Sequence, residues 1–169
     1  MNSDAVDDIL EQWSEERPEL DTASLGVVIR VMSLYKSFHR QATSALEELH
    51  LELFEYDVLS ALRRQGKPYC LPATRLAKET DMSNGAMTNR VDKLEDKGFV
   101  RRSRDETDRR GVIVTLTAKG RKVIDDAIQH RLDVADESLD GITKRERKEL
   151  AALLRKVRLT GAGGRITGS

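Results

Sequence analysis

Apolar residues recur at helical spacing along most of this chain, give way to alternation just after Gly98, and return to helical spacing beyond Thr117. A first short helix is predicted over about residues 4–16. Arg17-Pro18-Glu19 ends it, because the residue before a proline resists the α conformation. From Ala23 to about Leu49 one helix carries two apolar stripes, Leu25, Val28, Met32 and Tyr35 on one and Val27, Val31, Leu34, Phe38 and Ala45 on the other. A surface helix needs a single stripe, so two imply two partners, such as its own core and a second subunit. A helix over about 53–64 follows, with Phe54, Val58, Ala61 and Leu62 in step, closed by Gln65-Gly66-Lys67-Pro68. Pro72 suits the first turn of the next helix, which runs to about Glu79 with Leu76 and Ala77 inward.

Asp81-Met82 turns the chain, and Ser83 is a natural N-cap for a helix to about Lys97. Gly98 stops that helix where a left-handed residue is wanted. At about 100° per residue, Met87, Val91 and Leu94 share the face that must meet the core. The opposite face carries Gly85, Thr88, Asn89, Asp92 and Lys93, small or polar groups suited to the floor of a DNA major groove. Ser83 and Asn84 stand at the helix N-terminus, where free amides and the helix dipole favour a phosphate. Arg90 points about 60° away from Met87, at the edge of the core face. Residues 99–103 and 111–116 then alternate as two strands. Thr117 caps a helix predicted to about Leu139, and a last helix over about 143–158 aligns Leu150, Leu153, Leu154 and Val157. The expected fold class is mainly α: a helix-turn-helix followed by a small β-hairpin, with flanking helices. The Gly-rich tail is expected to be disordered.

Charge sharpens this picture. The formal net charge is zero, yet residues 1–21 hold eight acids against Arg17 alone, a balance of −7 that leaves +7 on the rest. An acidic arm beside a basic body permits nucleic-acid binding. The hairpin is rich in arginine, with Arg101, Arg102, Arg104, Arg109 and Arg110 against Asp105, Glu106 and Asp108. Alone, such a run is more often a solvated hairpin with surface ion pairs. Placed directly after a groove-facing helix, it points to arginines entering the narrow, electronegative minor groove.

Other chemistry is sparse. The single cysteine, Cys70, excludes an intrachain disulfide and fits a reducing cytosol. No apolar run is long enough to cross a bilayer and the acidic start is unlike a signal peptide, so a cytoplasmic location is expected. The sequence holds no Walker loop, dinucleotide glycine fingerprint, nucleophile elbow or zinc-protease motif, so neither an enzyme nor a catalytic residue is expected. His39, His50 and His130 lack metal-like spacing, and no metal or cofactor is expected.

The segment from Ser83-Asn84-Gly85 to Gly98-Phe99-Val100 resembles the recognition helix of MarR-family transcription regulators. Asp105-Glu106-Thr107-Asp108-Arg109-Arg110-Gly111 and Leu116-Thr117-Ala118-Lys119-Gly120 are similar to that family's wing and wing-to-helix junction. The resemblance implies an acidic extra helix (1–22), a dimerisation helix (23–52), a winged helix-turn-helix (53–117), C-terminal dimerisation helices (118–159) and a disordered tail (160–169). It further implies a homodimer on a pseudo-palindromic operator in double-stranded DNA, usually as a repressor, with Asp108 bracing a minor-groove arginine. Ser83, Asn84, Gly85, Thr88, Asn89, Lys93, Arg104, Arg109 and Arg110 are the expected DNA contacts.

The extra helix with Trp13, followed by Glu16-Arg17-Pro18-Glu19-Leu20-Asp21, is similar to the urate-responsive branch of that family. That likeness implies a ligand site of Trp13, Asp57, Arg90 and Arg102 for urate or another purine or phenolic anion. Plainer readings stand beside it. Trp13 can clamp the extra helix, Asp57 can pair with a nearby base, and Arg102 suits a phosphate contact better. Cys70 is either a small buried hydrophobe or, as in another branch, a peroxide-sensing thiol. A winged helix that binds a partner protein is the remaining alternative.

Overall fold

The computed structural model describes residues 3–105 and 111–160; Asp108, Arg109, Arg110 and the tail from 161 onward lie outside the described residues. The elements run α1 (Ala5–Glu16), α2 (Ala23–Glu47), α3 (Leu53–Arg64), β1 (Cys70–Pro72), α4 (Ala73–Glu79), α5 (Asn84–Asp96), β2 (Val100–Arg104), β3 (Val112–Leu116), α6 (Ala118–Glu137) and α7 (Lys144–Thr160). The fold is mainly helical with a small antiparallel sheet, in the order expected. One strand was not anticipated. Pro72, assigned to the first turn of a helix, instead ends β1, and α4 begins at Ala73. β1 lies at the sheet edge in the order β1-β3-β2, pairing Cys70 with Thr115 and Pro72 with Ile113. Proline is tolerated there because an edge strand leaves amide positions that need no partner.

The chain divides at Arg131/Leu132 into two compact units. In the first, α3, α4, α5 and the sheet enclose an apolar core in which Val58, Leu59, Leu62, Leu76, Leu94 and Val114 are fully buried. The predicted inner face of α5 is observed: Met87, Val91 and Leu94 are all buried. The α2 stripes behave differently from expectation. Neither is covered by the chain's own core. Leu25, Val28, Met32 and Tyr35 are exposed, and so are Val27, Val31, Leu34 and Phe38. Only Ala42 and Leu46, near the C-terminal end of α2, are buried apolar side chains. In the second unit, α7 begins with a reciprocal cap in which Thr143 Oγ1 accepts from the Glu146 amide and Glu146 Oε2 accepts from the Thr143 amide. Leu150, Leu153, Leu154 and Val157 are exposed on it.

α1 is fastened by sequence features that periodicity does not reveal. Asp4 caps α1 and also accepts from Arg30 on α2, at 2.9 Å from Nε and 2.8 Å from Nη2, while Asp7 accepts from Nη2 at 2.6 Å. Leu10 sits where a side chain at Gly26 would be, with its Cδ1 only 2.7 Å from the position of an added Cβ. The Arg30 hydrogen bond holds the Asp4 carboxyl below its ordinary range. A lowered folded pKa means that this contribution is full above about pH 4 and is lost as pH falls through the folded value. Acidification is therefore expected to loosen α1, read by the emission of Trp13, the only tryptophan. Arg30→Ala should give the acid-type emission already at neutral pH. Unchanged emission would mean that Leu10 packing alone holds the helix.

Candidate functional site

The face of α5 opposite its buried residues is open. Ser83, Asn84, Gly85, Thr88, Asn89, Asp92 and Lys93 are all exposed. Ser83 spends its Oγ on the Ala86 amide at 3.2 Å, and Thr88 turns its hydroxyl back to the Asn84 carbonyl at 3.0 Å. Among the described residues, the Asn84 and Gly85 amides have no acceptor, the state in which a helix N-terminus favours an anion. A side chain at Gly85 would meet open space, so nothing within the chain fills that approach. Gly98 ends the helix with φ of 72°, a left-handed value that glycine adopts without a Cβ clash.

β2 and β3 project from this helix as a paired ribbon, from Val100 opposite Leu116 to Arg104 opposite Val112. The Asp105 amide donates to the Gly111 carbonyl at 3.0 Å and closes the base of the hairpin. Arg101 and Arg104 are exposed on it. Arg102 is occupied: its guanidinium contacts Asp92 and donates to the Thr88 carbonyl at 3.2 Å, and Glu95 Oε1 accepts from its amide at 2.8 Å. This cluster fixes the ribbon's orientation against α5. Among the described residues no contact joins Arg102 to Trp13, Asp57 or Arg90.

Two of those residues do come together. Asp57, half-buried on α3, feels the charges of Arg131, Arg90 and Arg64. Burial pushes its carboxyl up despite these three cations, which act in the opposite direction. Among the described residues none of them approaches Asp57 within ion-pair distance. Arg90 stacks over the Phe54 ring at 4.4 Å and directs Nη1 to Met82 Sδ at 3.1 Å. Lys93 Nζ lies 5.5 Å from the same ring. Arg90 therefore lies at the edge of the core face, as its angle predicted, and joins α5 to α3. Arg131, Arg64, Phe54 and Met82 were missed by the sequence reading. Their proximity is set by the packing of three helices and leaves no local signal.

Trp13 makes no ring contact or hydrogen bond with its side chain among the described residues and is 43% exposed. Cys70 is a half-buried free thiol on β1. Among the described residues, no cluster of histidine, cysteine and acidic side chains is arranged to hold a metal, and no helix is long and apolar enough to cross a membrane.

The sequence pattern of the MarR family matches residues 51–112, the span from the start of α3 to the start of β3. The chain is 31% identical over 152 residues to the HTH-type transcriptional regulator PecS of Dickeya dadantii, covering 90% of this chain and 92% of that protein. Among solved structures, a mutant MarR from E. coli complexed with operator DNA matches with a TM-score of 0.69 and 28% identity, over 92% of this chain and 99% of that one. AbsC of Streptomyces coelicolor shares the fold with a TM-score of 0.75 at 20% identity, over 82% of this chain and 93% of its own.

Proposed function

The chain belongs to the MarR family of DNA-binding transcription regulators, and from that premise we propose that it is a homodimeric repressor released from its operator by a planar organic anion. Two copies would bury the apolar faces of α2 and α7, which a single chain leaves exposed. Two α5 helices would then enter successive major grooves, about 34–36 Å apart, at a pseudo-palindromic site. Ser83, Asn84 and Gly85 face phosphate, Thr88, Asn89 and Lys93 face the groove, and Arg104, Arg109 and Arg110 reach toward the minor groove, with Asp108 as brace. Urate is the representative ligand, with other purine or phenolic anions in the same class.

The observation that carries the release step is Arg90, which sits on the groove helix and yet acts on the desolvated Asp57. An anion bound there withdraws Arg90 from Phe54 and Met82, tilts α5 and changes the half-site spacing. Trp13 on the extra helix would cover the ligand.

Operator titration with and without urate, xanthine or salicylate tests this reading. Urate at millimolar concentration should weaken the wild-type complex at least about tenfold, a coupling of about 1.4 kcal/mol. Arg109→Ala with Arg110→Ala removes four arginines from the dimer and should weaken binding and lower the salt slope by up to about four. If none of the three anions weakens the wild-type complex, release by this class of ligand is refuted; if the paired substitution leaves operator affinity unchanged, so is the wing contact.

A further inference from the structure

We propose that Arg131, rather than Arg102, is the second guanidinium of the effector site, so that the anion bridges the groove helix α5 and the helix α6. This inference rests on the proposed release by a planar anion. Arg131 Nε is fully buried and has no hydrogen-bond acceptor among the described residues. Its guanidinium faces the Tyr56 ring at 5.7 Å. An aromatic face weakly satisfies the positive charge, but it does not satisfy a buried in-plane N–H, whose desolvation costs energy until an acceptor arrives.

The charge balance points the same way. Arg131, Arg90 and Arg64 act on a single carboxylate, Asp57. Arg64 is partly exposed and lies 3.4 Å from Glu79, so its charge has a partner elsewhere. Among the described residues, Arg90 has only the Met82 thioether and the Phe54 ring as direct contacts. Two poorly satisfied guanidinium groups, one on α5 and one on α6, thus act on one acid. Arg102, by contrast, is taken up by Asp92, Glu95 and the Thr88 carbonyl. Moving it to the ligand would break three contacts, whereas Arg131 would gain its missing acceptor.

The ligand class follows from these donors. It is a planar conjugated anion with in-plane oxygens or nitrogens: the edge accepts from Arg131 and Arg90, beside the Tyr56 and Phe54 rings that those guanidinium groups already face. Guanidinium groups favour such bidentate partners over a compact inorganic anion.

Full-length wild type, Arg131→Lys, Arg131→Met and Arg102→Ala are compared for urate affinity by calorimetry and for operator affinity without urate. Arg131→Met should weaken urate binding about 30-fold or more while operator affinity stays within about threefold. Arg131→Lys keeps the charge but loses the Nε donor, and should fall about tenfold on urate alone. Arg102→Ala should bind urate as wild type does and lose operator affinity. Wild-type urate affinity in both Arg131 variants, with loss in Arg102→Ala, overturns the assignment and leaves the release mechanism standing. Equal losses of urate and operator affinity in Arg131→Lys also overturn it, because that is the mark of a structural residue. Absence of urate binding in wild type removes the release mechanism and this inference together.

Discussion

Gly120→Ala is expected to lower stability by roughly 3 kcal/mol, at the upper end of what overpacking costs, and to lower the melting temperature by about 10 °C for a chain of this length. An added Cβ would sit 2.0 Å from the Phe99 carbonyl oxygen, 2.8 Å from its carbon and 3.0 Å from Leu116 Cδ1. The obstacle is backbone, and it is pinned. The Phe99 oxygen accepts from the Thr117 amide at 3.0 Å and from Thr117 Oγ1 at 3.1 Å. Thr117 Oγ1 in turn accepts from the Gly120 amide at 3.0 Å, capping α6. To make room, the chain must separate α6 from the junction that ends α5, breaking cap and crossover together. Gly85→Ala is the contrasting case: it meets open space in a helix, so its fold should be as stable or more so, by up to about 1 kcal/mol. Thermal melts of the two variants decide the matter. A Gly120→Ala protein within a degree or two of wild type would mean that the junction can shift freely.

What the sequence made legible were features backed by several local signals. α5 had a cap at Ser83, three buried apolar residues in step and a left-handed glycine at its end, and all three are observed. The angle of Arg90 placed it at the edge of the core face, where it is found against Phe54. β1 was not legible, because three residues are too few for a period of two to register. The α2 stripes were visible, but their surroundings were not: the pattern states that a face is apolar, not what covers it. Charges were the least legible. Asp57 and its three arginines, or Arg30 with Asp4 and Asp7, are brought together by packing between elements distant in sequence. Glu55 is the extreme case. It is an acid in the first turn of α3, unremarkable by pattern, and it is completely buried.

That burial leads to the second large effect. Lys97→Met is expected to cost about 3 kcal/mol, the low end for breaking a buried ion pair, because the Lys97 side chain is 39% exposed and water still reaches its ammonium. Lys97 Nζ lies 2.6 Å from Glu55 Oε1 and 2.8 Å from Oε2. The ammonium thus spans both carboxylate oxygens. Without the lysine, the carboxylate keeps, among the described residues, only the Glu52 amide, at 3.0 Å from Oε2. Glu55→Gln combined with Lys97→Met removes both charges at similar volume and should recover more than half of the loss. Urea midpoints for the single and double variants measure this; a double variant no more stable than Lys97→Met would show that the pair is not the cause. The pair also has a mechanical role. Lys97 is the C-cap of α5, and its carbonyl accepts from Lys119 Nζ at 2.8 Å. The C-terminal end of α5 is thereby tied to α3 and α6, while Arg90, two turns earlier, has among the described residues only an aromatic face and a thioether. A ligand that pulls on Arg90 would then rotate α5 about a fixed end instead of displacing it. In the folded double variant, operator affinity without urate should fall, and added urate should weaken binding by a smaller factor than in wild type.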